Sequence, residues 1–221
     1  FRTALSRLFI VNPLRLAHMI YNIYSMETSD TRVDRAAAVR RLGEVRTALA
    51  VKDLIGYLDD LSPSVREEAM LALGRIGSED AVEALLAHLD DPAADCTPEI
   101  ARALRPTRSR QAVGPLMDRL ETAERETACE IARTLGAIGD RGASPALIKR
   151  LKESEDPKLV MVCSEALARL GEFSAIYDIL PRMKTAPNRL LKHALAVDVG
   201  DLLGQSGGFY RILAREQRAK G

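Results

Sequence analysis

Apolar residues recur along this 221-residue chain with a period of about 31 positions. Within each period they follow the spacing i, i+1, i+4, i+5, i+8, which places them on one face of an α-helix. The five sets begin at Ala50, Ala81, Ala112, Ala143 and Ala175, the last after one inserted residue. Only Ser144 interrupts the apolar character of these sets. The pattern therefore predicts several copies of one amphipathic helix.

A second helical stripe precedes each of these sets. Its central positions are leucines, at Leu42, Leu73, Leu104, Leu135 and Leu167. Three copies place a glycine between the two stripes (Gly77, Gly139 and Gly171), where a tight turn requires positive φ. Ser62–Pro63 and Asp156–Pro157 are signals for the start of the next helix. Each unit is thus predicted to run helix, glycine turn, helix, polar turn.

Such pairs bury their apolar stripes only when they stack on neighbouring pairs. The predicted fold is therefore all-α, a right-handed α–α superhelix (a solenoid) of five to six helical pairs with an N-terminal helical cap. The solenoid is expected over residues 31–221. Its approximate repeats are 31–60, 61–91, 92–122, 123–156, 157–187 and a degenerate 188–221.

The runs Val65–Gly77, Asp80–Leu86 and Ala132–Asp140 resemble the short HEAT-like repeat, in the version also found in phycobilin lyases. The resemblance covers about residues 31–186. It implies the HEAT-like solenoid fold and carries almost no information about activity. The third repeat departs from it, because Leu104-Arg105-Pro106-Thr107 replaces the sequence Leu-Gly-x-Ile-Gly. Pro106 is predicted to end the first helix of that repeat early and to bend the superhelix locally.

Residues 1–30 carry no repeat but hold four of the nine aromatic residues. Asn12–Pro13 predicts a break between two short helices. One interpretation is a cap over the open face of the first repeat. The other is an amphipathic juxtamembrane or partner-docking segment, because Arg2, Arg7 and Arg15 lie among apolar residues. Any membrane contact is expected only through this segment. Since the chain begins with Phe1, we expect it to be a piece of a longer protein.

Composition narrows the chemistry. The 32 basic and 31 acidic side chains leave a net charge of +1, and Trp is absent, which argues against nucleic acid as the partner. His18, His88 and His193 have no Glu or second His at i+3 or i+4, so no metal site is predicted. No residue in the sequence requires a tetrapyrrole, and no cofactor is predicted. Cys96, Cys129 and Cys163 form no CxxC motif and are predicted to be small buried or half-buried thiols in a reducing cytoplasm.

One position of the second helices carries the candidate binding residues. It immediately precedes the last residue of each apolar stripe, and it lies about 90° from the centre of that stripe. The residues there are Tyr57, His88, Arg119, Arg150 and Arg182. Stacked helices would align them into a ridge suited to an acidic surface, a phosphorylated segment or a carboxylate. The competing interpretation is a row of solvated charges without a specific role.

The predicted function is a non-enzymatic scaffold that binds a protein or peptide partner, for which an acidic surface is the best match. Two alternatives stay open. One is an accessory protein of the phycobilin-lyase type. The other is a cytoplasmic HEAT-like module of a membrane protein, tethered through sequence upstream of residue 1.

Overall fold

The computed structural model describes residues 32–90 and 97–205, and every regular element in these ranges is helical. The helices are α1 (Arg32–Leu42), α2 (Ala48–Gly56), α3 (Pro63–Ile76), α4 (Glu79–Asp90), α5 (Thr97–Leu104), α6 (Val113–Thr122), α7 (Arg125–Ile138), α8 (Ser144–Glu153), α9 (Pro157–Leu170), α10 (Ile176–Lys184) and α11 (Arg189–Gln205). Within these ranges, no helix combines the length and the apolar character needed to cross a bilayer. The chain divides into two compact units after Ala81.

The predicted apolar stripes form the cores of both units. All five central leucines are buried. In the second helices, the stripe positions i, i+1 and i+4 are buried in all five sets, as at Ala50, Val51 and Leu54 of α2. The last position, i+8, is buried in the first four sets and half-buried at Met183 in the fifth. The i+5 positions, including Ile55 and Met117, are only half-buried. The buried face of the second helices is therefore narrower than the apolar face that the sequence pattern predicts.

In the first unit, α1 and α2 both pack on α3. Gly43, at the end of α1, lies so close to Ala72 that a Cβ on the glycine would be 2.5 Å from the alanine Cβ. Arg40 pairs with Glu68 across the same interface. Close approach of the two backbones at Gly43 and an ion pair between the helices together hold α1 against α3.

In the second unit, the first helices of successive repeats stack in the order α5, α7, α9, α11, and the second helices stack in the order α6, α8, α10. Each second helix also contacts the first helix of the next repeat. This arrangement confirms the all-α, HEAT-like stacking of helical pairs. The repeat boundaries proposed from the sequence stay predictions.

The predicted turns are present. Gly77, Gly139 and Gly171 adopt φ values of 63°, 83° and 64°, and each ends a 14-residue first helix. At Asp156 the side chain accepts a hydrogen bond from the Lys158 backbone N–H, while Pro157 occupies the first helical position. Glycine C-caps and proline-led N-termini thus set the helix boundaries.

The third repeat ends its first helix early, as Pro106 predicts. Helix α5 stops at Leu104, its central leucine, whereas α3, α7 and α9 continue three residues beyond theirs. A 3₁₀ turn over Arg105–Thr107 follows, and Arg108 adopts φ 50°. The expected bend of the superhelix stays a prediction.

Several sequence predictions fall outside the described residues. They concern the cap or docking segment at residues 1–30, the side chains of His18 and Cys96, and the second helix of the sixth repeat after Gln205.

Candidate interaction surface on the second helices

The five candidate residues are all half-buried. Tyr57 belongs to the first unit and follows the last residue of α2, so it lies just outside the helix predicted to carry it. The other four residues lie in the second unit, on α4, α6, α8 and α10. Arg119, Arg150 and Arg182 occupy the same position on the three stacked helices α6, α8 and α10, and we call them the arginine column.

Arg150 reaches back to the preceding repeat. Its Nη2 donates a hydrogen bond of 2.9 Å to the carbonyl oxygen of Ala123, the residue that caps the C-terminus of α6. A helix C-terminus carries unpaired carbonyls and partial negative charge, so a guanidinium is favoured there. The bond therefore joins α8 to the end of α6.

Arg182 repeats this arrangement one repeat later. Its Nη2 donates to the carbonyl oxygen of Ser154, which caps α8. Each of these two arginines thus binds the end of the helix that carries the preceding member of the column. The sequence does not predict this contact between repeats, and its signal there is the recurrence of Arg at one repeat position.

The guanidinium of Arg150 is held in place by a hydrogen bond, but no carboxylate neutralises its charge. Within residues 32–90 and 97–205, no carboxylate lies within ion-pair distance of Arg150, and its Nε is buried without a hydrogen-bond partner. Arg182 has Glu155 at 3.8 Å, but the Glu155 side chain is 94% exposed and the pair is weak. A backbone carbonyl leaves the guanidinium fully charged.

His88 makes a local contact. Its Nδ1 lies 3.1 Å from the carbonyl oxygen of Ala84, one turn earlier in α4. This bond orients the imidazole along its own helix. This contact lies within one helix, whereas the bonds of Arg150 and Arg182 described above reach the preceding repeat.

Ion pairs between side chains also join the second helices. Lys149 of α8 bonds Glu121 of α6 at 2.9 Å, and Lys152 of α8 pairs with Asp178 of α10 at 2.8 Å. The hydrogen bond from Lys149 lowers the pKa of the Glu121 carboxyl. These carboxylates are engaged in structural pairs between repeats.

The described cysteines are buried free thiols, as predicted. Burial raises the pKa of the Cys163 thiol to about 12 and also raises that of Cys129. Both therefore stay protonated and unreactive at neutral pH. In the same part of the chain, no group of three or more His, Cys, Asp or Glu side chains could hold a metal ion.

Stacked helical pairs with glycine turns define a helical-repeat protein. A sequence model of the family described as HEAT repeats matches residues 23–105 and 113–197. The chain belongs to the HEAT-repeat family. Among curated proteins, none matches it.

Solved structures show the same fold. A chain in the complex of CpcE and CpcF of phycocyanin lyase from Nostoc sp. PCC7120 is 26% identical, with a TM-score of 0.60 over 72% of this chain. The match covers 66% of that chain, so the present chain spans just under two thirds of its length. A computationally designed armadillo repeat protein for modular peptide recognition is 15% identical, with a TM-score of 0.52 over 83% of this chain and 98% of its own.

Proposed function

We propose that this HEAT-repeat chain is a non-enzymatic scaffold that binds a protein or peptide partner by recognising an acidic segment of that partner. The arginine column is the proposed centre of contact, and Tyr57 and His88 are proposed as further contacts at the same repeat position. The observation that carries the proposal is the uncompensated charge of Arg150, held by a backbone carbonyl and not by a carboxylate.

Immobilised guanidinium groups favour binding for an entropic reason. A free arginine loses side-chain entropy when it orders on a partner, whereas Arg150 and Arg182 are already ordered by the carbonyls of Ala123 and Ser154. Each guanidinium has five N–H donors and uses only part of them here. The Nε of Arg150 is buried, so the donors that suit the paired oxygens of a carboxylate or phosphate are the Nη hydrogens that the backbone carbonyls leave unused.

The likeness to the CpcE–CpcF complex supports a protein partner. That solved assembly pairs two different chains, at least one of which shares this repeat architecture. We propose that the present chain likewise works in association with another protein.

The test is affinity capture with the full chain as bait, from a lysate of the source cells. The bait variant is Arg119→Met with Arg150→Met, because methionine keeps the apolar stem and removes the charge without placing an acid beside a carbonyl. Lys192→Met, an exposed change on α11, is the control. Captured proteins should be retained by the wild type and the control and lost from the double variant. Unchanged capture by a double variant of wild-type helix content would refute the proposal.

A phycobilin-lyase-like accessory activity is the second candidate, and the likeness to the phycocyanin lyase chain favours it. Mixing the chain with a bilin and an apo-phycobiliprotein separates the two functions. The scaffold proposal expects no change in the yield of covalent coloured adduct, whereas lyase-type activity would raise that yield.

A further inference from the structure

A groove of about 420 Å³ lies between α9 and α11, on the first helices and away from the arginine column. Its apolar walls are Met161 of α9 and Leu190, Ala194 and Val197 of α11. Leu190 is 73% exposed and Val197 is 49% exposed. The three residues of α11 follow the spacing i, i+4, i+7, so they form one continuous apolar strip along the groove.

A buried carboxylate also lines this groove. Asp198 is only 7% exposed and accepts a hydrogen bond of 2.6 Å from the hydroxyl of Ser164 on α9. Burial raises the pKa of Asp198 to about 6, which shows that its negative charge is poorly stabilised in the free protein.

The charges around Asp198 are mostly of its own sign. Glu165 of α9 and Asp201 of α11 both raise the pKa of Asp198. Arg169 of α9 lowers that pKa, but its guanidinium donates to Glu165 at 2.6 Å. His193 completes the groove lining on α11, and α10 contributes no charged group that acts on Asp198 in the described part of the chain. The C-terminal half of the groove therefore has an excess of negative charge.

We propose that this groove binds an amphipathic helix of a partner protein, with a Lys or Arg of that helix paired to Asp198. In many complexes, an exposed apolar strip on one helix, flanked by a neighbouring helix, is the surface that binds a helix of the partner. A partly desolvated carboxylate gains most from a cation that reaches it within the same apolar site. Leu190 to Val197 span about 10 Å at 1.5 Å per residue, which matches two turns of a bound helix.

The partner chemistry at this groove is opposite to that of the arginine column. The column suits an acidic segment, and the groove suits a basic amphipathic helix. The two surfaces can therefore be tested separately, and Arg119→Met with Arg150→Met should leave binding at the groove unchanged.

The probe is a fluorescein-labelled helical peptide with Leu at i, i+4 and i+7 and Lys on both sides of this strip. The control peptide has the same sequence with Glu in place of every Lys. Fluorescence anisotropy with the full chain should show at least tenfold tighter binding of the Lys peptide at pH 7. Equal affinity for the two peptides would overturn the proposal.

Asp198→Asn tests the carboxylate, because the amide keeps the shape and can still accept the hydrogen bond from Ser164. It should weaken binding of the Lys peptide about tenfold. Binding to the wild type should also weaken about tenfold between pH 7 and pH 5, as Asp198 becomes protonated, whereas the Asn variant should show no such change. An Asn variant with wild-type affinity and wild-type pH dependence would contradict the assignment of Asp198.

Val197→Asp tests the apolar wall, and Ala196→Asp is its matched control with the same added charge on an adjacent exposed position. Val197→Asp should abolish binding of the Lys peptide, and Ala196→Asp should preserve it. Equal loss in both variants would show that the peptide does not bind through the groove.

Discussion

Repeats 3 and 4 make the same turn between their two helices in different ways. In repeat 4, α7 continues to Ile138 and ends at Gly139 with φ 83°. In repeat 3, α5 stops at Leu104, and Arg108, at the position equivalent to Gly139, adopts φ 50°. One turn uses the residue suited to the left-handed region, and the other places an arginine there.

The two repeats also contact the next first helix differently. Gly136 of α7 allows close approach to α9, since a Cβ on this glycine would lie 2.8 Å from the Ala166 Cα. At the equivalent position in repeat 3, Arg105 instead bonds Glu130 of α7. Close backbone packing stabilises the first interface and a charged side chain stabilises the second, so the two should respond differently to the same change.

Valine at each equivalent position should give the largest difference. Gly136→Val should lower the free energy of unfolding by about 3 kcal/mol, because α7 and α9 must separate to admit the side chain. Arg105→Val should cost about 1 kcal/mol, the loss of a partly exposed charged hydrogen bond. Urea unfolding followed by circular dichroism measures both. Equal costs would show that the two interfaces pack alike.

A buried polar pair extends the comparison to the α9–α11 interface. Between α5 and α7 the buried pair is neutral, with the Thr134 hydroxyl donating to the Ala101 carbonyl at 2.7 Å. Between α9 and α11 it includes Asp198, whose pKa is raised to about 6. Folding therefore binds a proton between about pH 4 and pH 6, and stability contributed by protonated Asp198 is lost as the pH rises through this window.

Asp198→Asn should remove this pH dependence and stabilise the fold by about 2 kcal/mol at pH 7, since it abolishes the ionised buried form. Thr134→Val should show no difference in effect between pH 4 and pH 7. Urea unfolding at the two pH values measures both variants. If the stability of the Asn variant depends on pH as strongly as that of the wild type, Asp198 is not the source of the pH dependence.

Smaller effects are expected at the turn position. Arg108→Gly should stabilise the chain by about 0.5–1 kcal/mol, because glycine adopts positive φ without strain. Gly139→Ala should destabilise it by about 1 kcal/mol for the same reason. Thermal unfolding of the two variants provides the measurement. A destabilising Arg108→Gly would indicate that the arginine side chain contributes more than its backbone costs.

The smallest effect is expected for Lys149→Met. The Lys149–Glu121 pair joins the second helices of repeats 3 and 4, but both side chains are exposed and screened by water. The unfolding midpoint should not change measurably. A clear shift would assign the exposed ion pairs a larger part in joining the repeats.

The sequence predicted what depends on local spacing. The 31-residue period correctly predicts the helical pairs, and the central leucines correctly predict core positions. The turns are correctly predicted at Gly77, Gly139 and Gly171. Each of these features follows from helix geometry within one repeat. Pro106 likewise predicted the early end of α5.

Contacts between repeats could not be predicted in this way. The bond from Arg150 to Ala123 spans 27 residues and depends on where two stacked helices end. The burial of Asp198 depends on Ser164, which is 34 residues away in the sequence. A charged residue on a helix is ordinarily exposed, so nothing in the local pattern of α11 distinguishes Asp198 from Asp201.

The most direct test of the central claim, that the second helices bind the partner, is hydrogen–deuterium exchange of the full chain with and without the captured protein. We predict slower exchange at the C-terminal ends of α6, α8 and α10, around Arg119, Arg150 and Arg182. Protection confined to the first helices, with none at these three ends, would contradict it.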